Sequence, residues 1–296
     1  FLFSRILGIY PLFLRTINFM PKILMPLLLI LTLAIACKDS SRSSGGSDSI
    51  DEPATDNEPA GISYTVLNAT PHDTNSYTEG LLFHNGKLYE SSGAPQDDSN
   101  TRSIFGEVDP ATGKIAVKAE LDRKIYFGEG ITILNGKIYQ LTWKNKTGFI
   151  YDAKTFKRTG QFSFPTDEGW GMTTDGTDLI MSDGTSNLTF LDPNTFKTVK
   201  IVAVKDNNGP VGNINELEYI KGNIYANVYQ TANIVRIDPS SGNVTGKADF
   251  SRLYKEAQMK YPATEYMNGI AFDSTKNIVY ITGKLWPSIY EVRLNN

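Results

Sequence analysis

The side chains that most hydrolytic and metal-dependent sites rely on are scarce in this chain. One cysteine, Cys37, occurs in 296 residues, so no disulfide can form within it. The two histidines are His72 and His84. A zinc site built from Cys and His has almost no ligands to draw on, and a Ser-His-Asp triad would need one of these two. His84 sits in the turn Phe83-His84-Asn85-Gly86 and is expected to be a solvated turn residue. His72 precedes the first repeat and is expected to be structural. The net charge is only −3, which gives no footprint for nucleic acid. No phosphate-binding loop is present, because Gly128-Glu129-Gly130 is too short to count as one. No cofactor and no metal are expected.

Long apolar runs are confined to the N-terminus. Met20-Pro21-Lys22 followed by Ile23 to Ala36 has the layout of a signal peptide: a basic start, an apolar core and small residues. The segment ends Leu33-Ala34-Ile35-Ala36-Cys37, which resembles a bacterial lipobox, with Ala34 where leucine is usual. The resemblance implies cleavage before Cys37 and lipidation of that cysteine, anchoring the chain in the bacterial envelope. Residues 1–19 do not begin with methionine and are expected to be an upstream extension before a start at Met20. Residues 37–61, with Ser40-Ser41-Arg42-Ser43-Ser44-Gly45-Gly46-Ser47, are too polar to bury a core and read as a flexible linker.

From residue 62 to 296 a phrase recurs five times. It is an apolar stretch, a tight turn and a second apolar stretch. Gly80-Leu81-Leu82-Phe83-His84-Asn85-Gly86-Lys87-Leu88-Tyr89 is the first copy. Gly130-Ile131-Thr132-Ile133-Leu134-Asn135-Gly136-Lys137-Ile138-Tyr139 is the second. Weaker copies start at Gly171, Glu216 and Gly269. Each hairpin precedes a third strand that ends in aspartate and a turn, as in Val108-Asp109-Pro110 and Ile237-Asp238-Pro239, and then a fourth strand. Such a period indicates a repeat architecture. Four antiparallel strands repeated five times predict an all-β, five-bladed β-propeller forming one domain. The last repeat ends at its third strand, Ile289 to Leu294. Ile62 to Leu67 is expected to supply the fourth and close the ring, which removes two sheet edges. Arg252 to Met259 is the only stretch expected to turn helical. A monomer is the default expectation.

Aligning the repeats isolates two sets of unlike residues. Just before the recurring glycine stand Glu79, Glu129, Trp170, Asn215 and Asn268. Four residues beyond the hairpin stand Gly93, Trp143, Gly184, Tyr229 and Lys284. A purely structural repeat would keep one residue type at each position. Together these residues predict a pocket with aromatic walls, two carboxylates, amides and one lysine, the usual build of a small-ligand site. Three readings fit such a pocket: an enzyme, a calcium-dependent lactonase-like hydrolase using the ring of oxygens, or a surface-displayed propeller that binds without turnover.

The motifs Tyr77-Thr78-Glu79-Gly80-Leu81, Phe127-Gly128-Glu129-Gly130-Ile131-Thr132, Leu141-Thr142-Trp143-Lys144, Gly169-Trp170-Gly171-Met172, Asn215-Glu216-Leu217-Glu218, Asn268-Gly269-Ile270-Ala271 and Thr282-Gly283-Lys284-Leu285-Trp286-Pro287 resemble, in order, those of the plant and bacterial glutaminyl-peptide cyclotransferases. The resemblance spans about residues 64–295. It implies a five-bladed propeller that turns N-terminal glutamine of peptides or proteins into pyroglutamate and releases ammonia without a catalytic metal. Position by position, it implies that Glu129 is the catalytic glutamate and that Lys284 is the family's lysine. Phe127, Trp143 and Trp170 match its aromatic pocket and Asn215 its binding amide. Glu79 falls where members carry Gln or Glu, and Tyr229 stands where the plant enzymes have tryptophan. Glu129 would then act as base and acid in turn, Lys284 or an amide would stabilise the carbonyl oxygen, and Glu79 would receive the substrate ammonium or gate the entrance. Asn268 completes the substrate-binding set.

Overall fold

Short runs of alternating apolar and polar residues, cut by Asn-Gly and Asp turns, become strands. The computed structural model describes residues 58–295. The expected leader, Cys37 and nearly all of the expected linker lie outside those residues. Five sheets follow one another as blades. Blade 1 is Tyr77–His84, Lys87–Gly93, Ile104–Val108 and Ile115–Glu120; blade 2 is Gly128–Leu134, Lys137–Thr142, Thr147–Asp152 and Arg158–Ser163. Blade 3 is Met172–Thr174, Leu179–Ser182, Asn187–Leu191 and Thr198–Ala203. Blade 4 is Ile214–Ile220, Asn223–Val228, Asn233–Ile237 and Val244–Asp249. Blade 5 has three strands, Met267–Asp273, Ile278–Gly283 and Ser288–Asn295, and receives its fourth, Ser63–Pro71, from before blade 1. The expected ring closure is therefore present, three residues longer than the sequence suggested. Ala60–Gly61, inside the stretch read as linker, adds a second tie by pairing in parallel with the outer strand of blade 4.

The core lies between blades rather than within any one of them. Leu82, Tyr89 and Phe105 of blade 1 cluster with Ile131, Ile138 and Phe149 of blade 2. Blades 3 and 4 meet through Ile180, Leu188 and Phe190 against Leu217, Ile224 and Val235. Each such side chain contributes roughly 1.5–3 kcal/mol by leaving water. The one α-helix among the described residues, Ser251–Lys260, buries Leu253 and Ala257 against blades 4 and 5. The seam between blades 5 and 1, where the ring closes, carries a buried polar cluster. There His72 bonds Trp286 O at 2.7 Å and Glu90 Oε2 at 2.9 Å, and Glu90 also accepts from Thr78 Oγ1 at 2.7 Å and from Ser76 Oγ. Burial opposes charge on both His72 and Glu90, but their pairing outweighs it, holding the histidine up and the carboxyl down. His72 is thus structural, as expected.

The third-strand aspartates are turn formers. Asp109, Asp152, Asp192 and Asp238 each accept backbone N–H bonds two and three residues on. The recurring glycine has a different cause. A Cβ on Gly80 would lie 2.8 Å from Ile131 N of the next blade, and one on Gly171 would strike the carbonyl oxygen of Asn215. The innermost strands converge on the axis, and in blades 1 to 3 glycine lets them meet. Blade 4 carries Glu216 there instead. Its carboxyl spans the axis, accepting Leu81 N at 3.1 Å and Ile270 N at 2.8 Å, so one side chain stitches blades 1, 4 and 5.

Candidate active site

The ring of unlike residues is a ring of irregularities in the inner strands. The register of the first hairpin slips between Thr78 and Gly80, between Gly128 and Ile131, between Ile214 and Leu217, and between Met267 and Ile270. Glu79, Glu129, Asn215 and Asn268 occupy those slips. A bulge leaves a residue out of the ladder and re-aims its side chain. In blade 3 Trp170 lies just ahead of the short inner strand; its backbone N–H is on Ser182 O at 3.0 Å and the Ser182 N–H is on Gly171 O at 3.1 Å, so two residues again face one. The same local device thus repeats around the axis and delivers several side chains to one opening.

They meet in a cavity of about 610 Å³ whose lining includes Glu79, Glu129, Trp143, Trp170, Asn215 and Lys284. Phe127 and Tyr229 complete the wall, with Tyr77 beside them. The rings pack edge to face: Phe127 against Trp143 at 5.8 Å, Trp170 against Tyr229 at 5.4 Å. Burial, assisted by the carboxylates nearby, pushes the Tyr229 hydroxyl up to about 12, so it stays protonated. The two glycines of the second set, Gly93 and Gly184, make room for the walls. A Cβ on Gly93 would strike the Phe127 ring, and one on Gly184 would lie 2.6 Å from the Trp170 ring.

The floor is charged and nearly buried. Glu79 and Glu129 are 3% and 5% exposed. The two carboxyls are close enough for each to influence the protonation of the other. Lys284, also buried, pairs with Glu79 Oε1 and lies 4.3 Å from the Tyr77 ring centroid. Asn268 Nδ2 donates to Glu79 Oε2 at 3.1 Å and to Thr78 O at 3.1 Å. Asn268 does not line the cavity; it stands behind Glu79 and orients it. Burial raises both carboxyls. For Glu79 the Lys284 charge pulls the other way, whereas for Glu129 the Glu79 charge adds to burial and lifts it well above an ordinary carboxyl. Of the two, Glu129 is the one held further toward its protonated form, and the Lys284 ammonium favours the charged form of Glu79. Glu79 thus has a partner on each oxygen, Lys284 on Oε1 and Asn268 on Oε2.

Asn215 Oδ1 is buried without a hydrogen-bond partner. Buried polar atoms are rarely left so, and this one belongs to a cavity-lining side chain. Three groups at the site escaped the repeat alignment. Glu168 Oε2 accepts both indole N–H groups, Trp143 at 2.7 Å and Trp170 at 2.9 Å. Glu265 accepts from Tyr77 at 2.8 Å. The mouth is formed partly by Gln96, Lys124 and Ile125. Glu168 stands two residues before Trp170, a proximity that could have drawn attention to it.

Five blades around an aromatic cavity, floored by two buried carboxyls and a lysine, define a β-propeller enzyme site. The chain belongs to the glutamine cyclotransferase family, whose model matches residues 31–294. It is 38% identical over 231 residues to a glutaminyl-peptide cyclotransferase of Arabidopsis thaliana, covering 77% of this chain and 70% of that one. The crystal structure of Myxococcus xanthus glutaminyl cyclase matches with a TM-score of 0.73 at 32% identity, covering 80% of this chain and 99% of the other.

Proposed function

We propose that this chain converts an N-terminal glutamine into pyroglutamate with release of ammonia, and that Glu129 moves the protons. Family membership supports the reaction. The observation that carries the residue roles is the pair of buried carboxyls, Glu79 and Glu129, with Lys284 on Glu79, at the floor of the aromatic cavity.

The glutamine α-amine forms a bond to its own side-chain amide carbon, and the bond from that carbon to the amide nitrogen breaks. The amine loses one proton and the departing nitrogen gains one; water neither enters nor leaves. A carboxyl pair with one proton and one charge matches this need. Glu129 gives its proton to the leaving nitrogen, the pair takes one from the attacking amine, and the site ends as it began. A positioned acid–base group of this kind contributes ~10²–10⁴-fold. Lys284 has three N–H donors, and those not on Glu79 can meet the carbonyl oxygen as it becomes negative. Such a donor is worth roughly 3–4 kcal/mol in the transition state. Asn215 Oδ1 is the acceptor for a substrate N–H. Phe127, Trp143, Trp170 and Tyr229 press the glutamine side chain into the folded shape that brings amine and amide together.

The substrate class is a peptide or protein with N-terminal glutamine, because the cavity opens past Gln96 and Ile125 and leaves a way out for the following residues. Calcium chemistry is less well served. The Lys284 ammonium takes the cation position beside Glu79, and no cluster of three or more His, Cys, Asp or Glu suited to a metal occurs among the described residues. Ammonia release from a Gln-initiated dipeptide, with and without a chelator, tests the proposal. Chelator-insensitive release is expected. Loss of release on chelation would favour the metal hydrolase, and tight binding without release the binding module.

We further propose that lipid on Cys37 holds the enzyme at the bacterial envelope, on the strength of the lipobox-like Leu33 to Cys37. Among the described residues no helix is long and apolar enough to cross a membrane. The full chain is expected to enter the detergent phase on phase separation and C37S the aqueous phase. Equal partition of the two would remove the lipid anchor.

A further inference from the structure

The two indole walls share one acceptor. Glu168 lies on the connection from blade 2 to blade 3. Its Oε2 takes the Nε1–H of Trp143 at 2.7 Å and of Trp170 at 2.9 Å. Its Oε1 faces Lys144 Nζ at 3.7 Å, and that Nζ lies 3.7 Å from the Trp143 ring centroid. The connection itself is fixed. Thr166 Oγ1 donates to Glu168 O at 2.7 Å, and Gly169 N–H donates to Trp143 O at 2.8 Å. Gly169 leaves no space for a larger residue, since a Cβ there would stand 2.8 Å from the Phe164 ring. An indole has a single N–H donor, so the polar end of each ring is held by this carboxylate alone. Trp143 needs the tie most, being 36% exposed at the mouth.

We propose that Glu168 is a positioning residue: one carboxylate oxygen sets the orientation of both indole walls, and through them the folded conformer of the bound glutamine. The inference rests on the cyclotransferase reading for its kinetic consequence, but not for its structural one. In this reaction the substrate attacks itself, so the walls decide how often amine and amide carbon are in reach. A displacement of about 1 Å in such a site costs up to about 10²-fold. Glu168 also acts at a distance. Glu129 is faced by Glu79, Lys284 and Glu168, and the negative charge of Glu168 adds to the hold of Glu129 on its proton; Lys144 is the cation facing Glu168.

Position and charge separate in two variants. E168A removes both; E168Q keeps an oxygen acceptor for the indoles and removes the charge. E168A is expected to change tryptophan emission and to lower kcat/KM by roughly 10- to 100-fold. E168Q is expected to restore the wild-type emission and to recover part of the rate. Its alkaline limb should move to lower pH, because Glu129 then releases its proton sooner. Trp286, the third tryptophan, is buried with its Nε1 on Glu265 O at 2.9 Å and supplies a constant background. Where E168A folds poorly, the cycle with W143F/W170F decides. With both indole N–H groups gone, a residue acting through them has nothing left to hold, and E168A should add little. Unchanged emission and rate in E168A, or equal losses in E168A and E168Q, would overturn the proposal. So would a full additional loss in the W143F/W170F background. Emission is read without turnover, so it still decides the role of Glu168 if no glutamine peptide releases ammonia, the result that would end the cyclotransferase reading.

Discussion

E129Q is expected to lower kcat for a Gln-initiated peptide by about 10²–10⁴-fold, with little change in peptide affinity or in stability. The asymmetry follows from the resting state of the site. Burial and the Glu79 charge favour the protonated form of Glu129, and a glutamine side chain imitates a protonated glutamate in shape, in neutrality and in having an N–H to give to Glu79. Everything the resting floor needs is kept. The transferable proton is lost. Turnover, equilibrium binding of a pyroglutamyl product peptide and urea unfolding should be measured on the same preparation. More than a tenth of wild-type turnover would exclude Glu129 as the proton carrier. A matching loss of stability would mean that the pair is structural.

K284M has the second large effect, and its pH dependence has a definite sign. Burial raises Glu79, and the Lys284 charge opposes that rise. Without the ammonium, Glu79 rises further, so the pair keeps a second proton to higher pH than in the wild type. The acid limb of kcat/KM should then move to higher pH, and alkali should restore part of the lost rate. Stability moves the other way. A carboxyl whose folded value lies above its unfolded value stabilises below the unfolded value and loses that contribution as pH rises through the folded value. The stability deficit of K284M therefore grows with pH, towards the roughly 3–5 kcal/mol typical of a buried charge left alone. K284M/E79Q removes both charges and should regain stability without regaining activity. A pH–rate profile that coincides with wild type would show that Lys284 does not set the state of Glu79.

The repeat and its punctuation carried most of the fold. Hairpins with Asn-Gly turns, third strands ending in aspartate and an unfinished fifth repeat gave the blade count and the closure by the strand before blade 1. What escaped was the second tie at Ala60–Gly61, because it pairs backbone groups and leaves no side-chain pattern. The helix at Ser251–Lys260 is slightly longer than the expected Arg252 to Met259. Gly93 and Gly184 were visible as gaps in the ring of side chains, but only packing shows that Phe127 and Trp170 fill them.

By itself the sequence determined which positions face the axis. A repeated register places the same position of every blade at the same height, and the residue after it is glycine in every blade but the fourth, which has Glu216. That is local, periodic information, and Glu79, Glu129, Trp170, Asn215 and Asn268 stand out in it as unlike residues at like positions. Tertiary structure alone decided which of them touch. Lys284 meets Glu79 across 205 residues of chain, at the seam where the ring closes. Asn268 turns behind Glu79 instead of into the cavity, and Glu168, outside the repeated positions, holds indoles from two blades. Whether two carboxyls share a proton depends on their separation and on the water excluded around them, and neither is defined until the last blade has closed on the first.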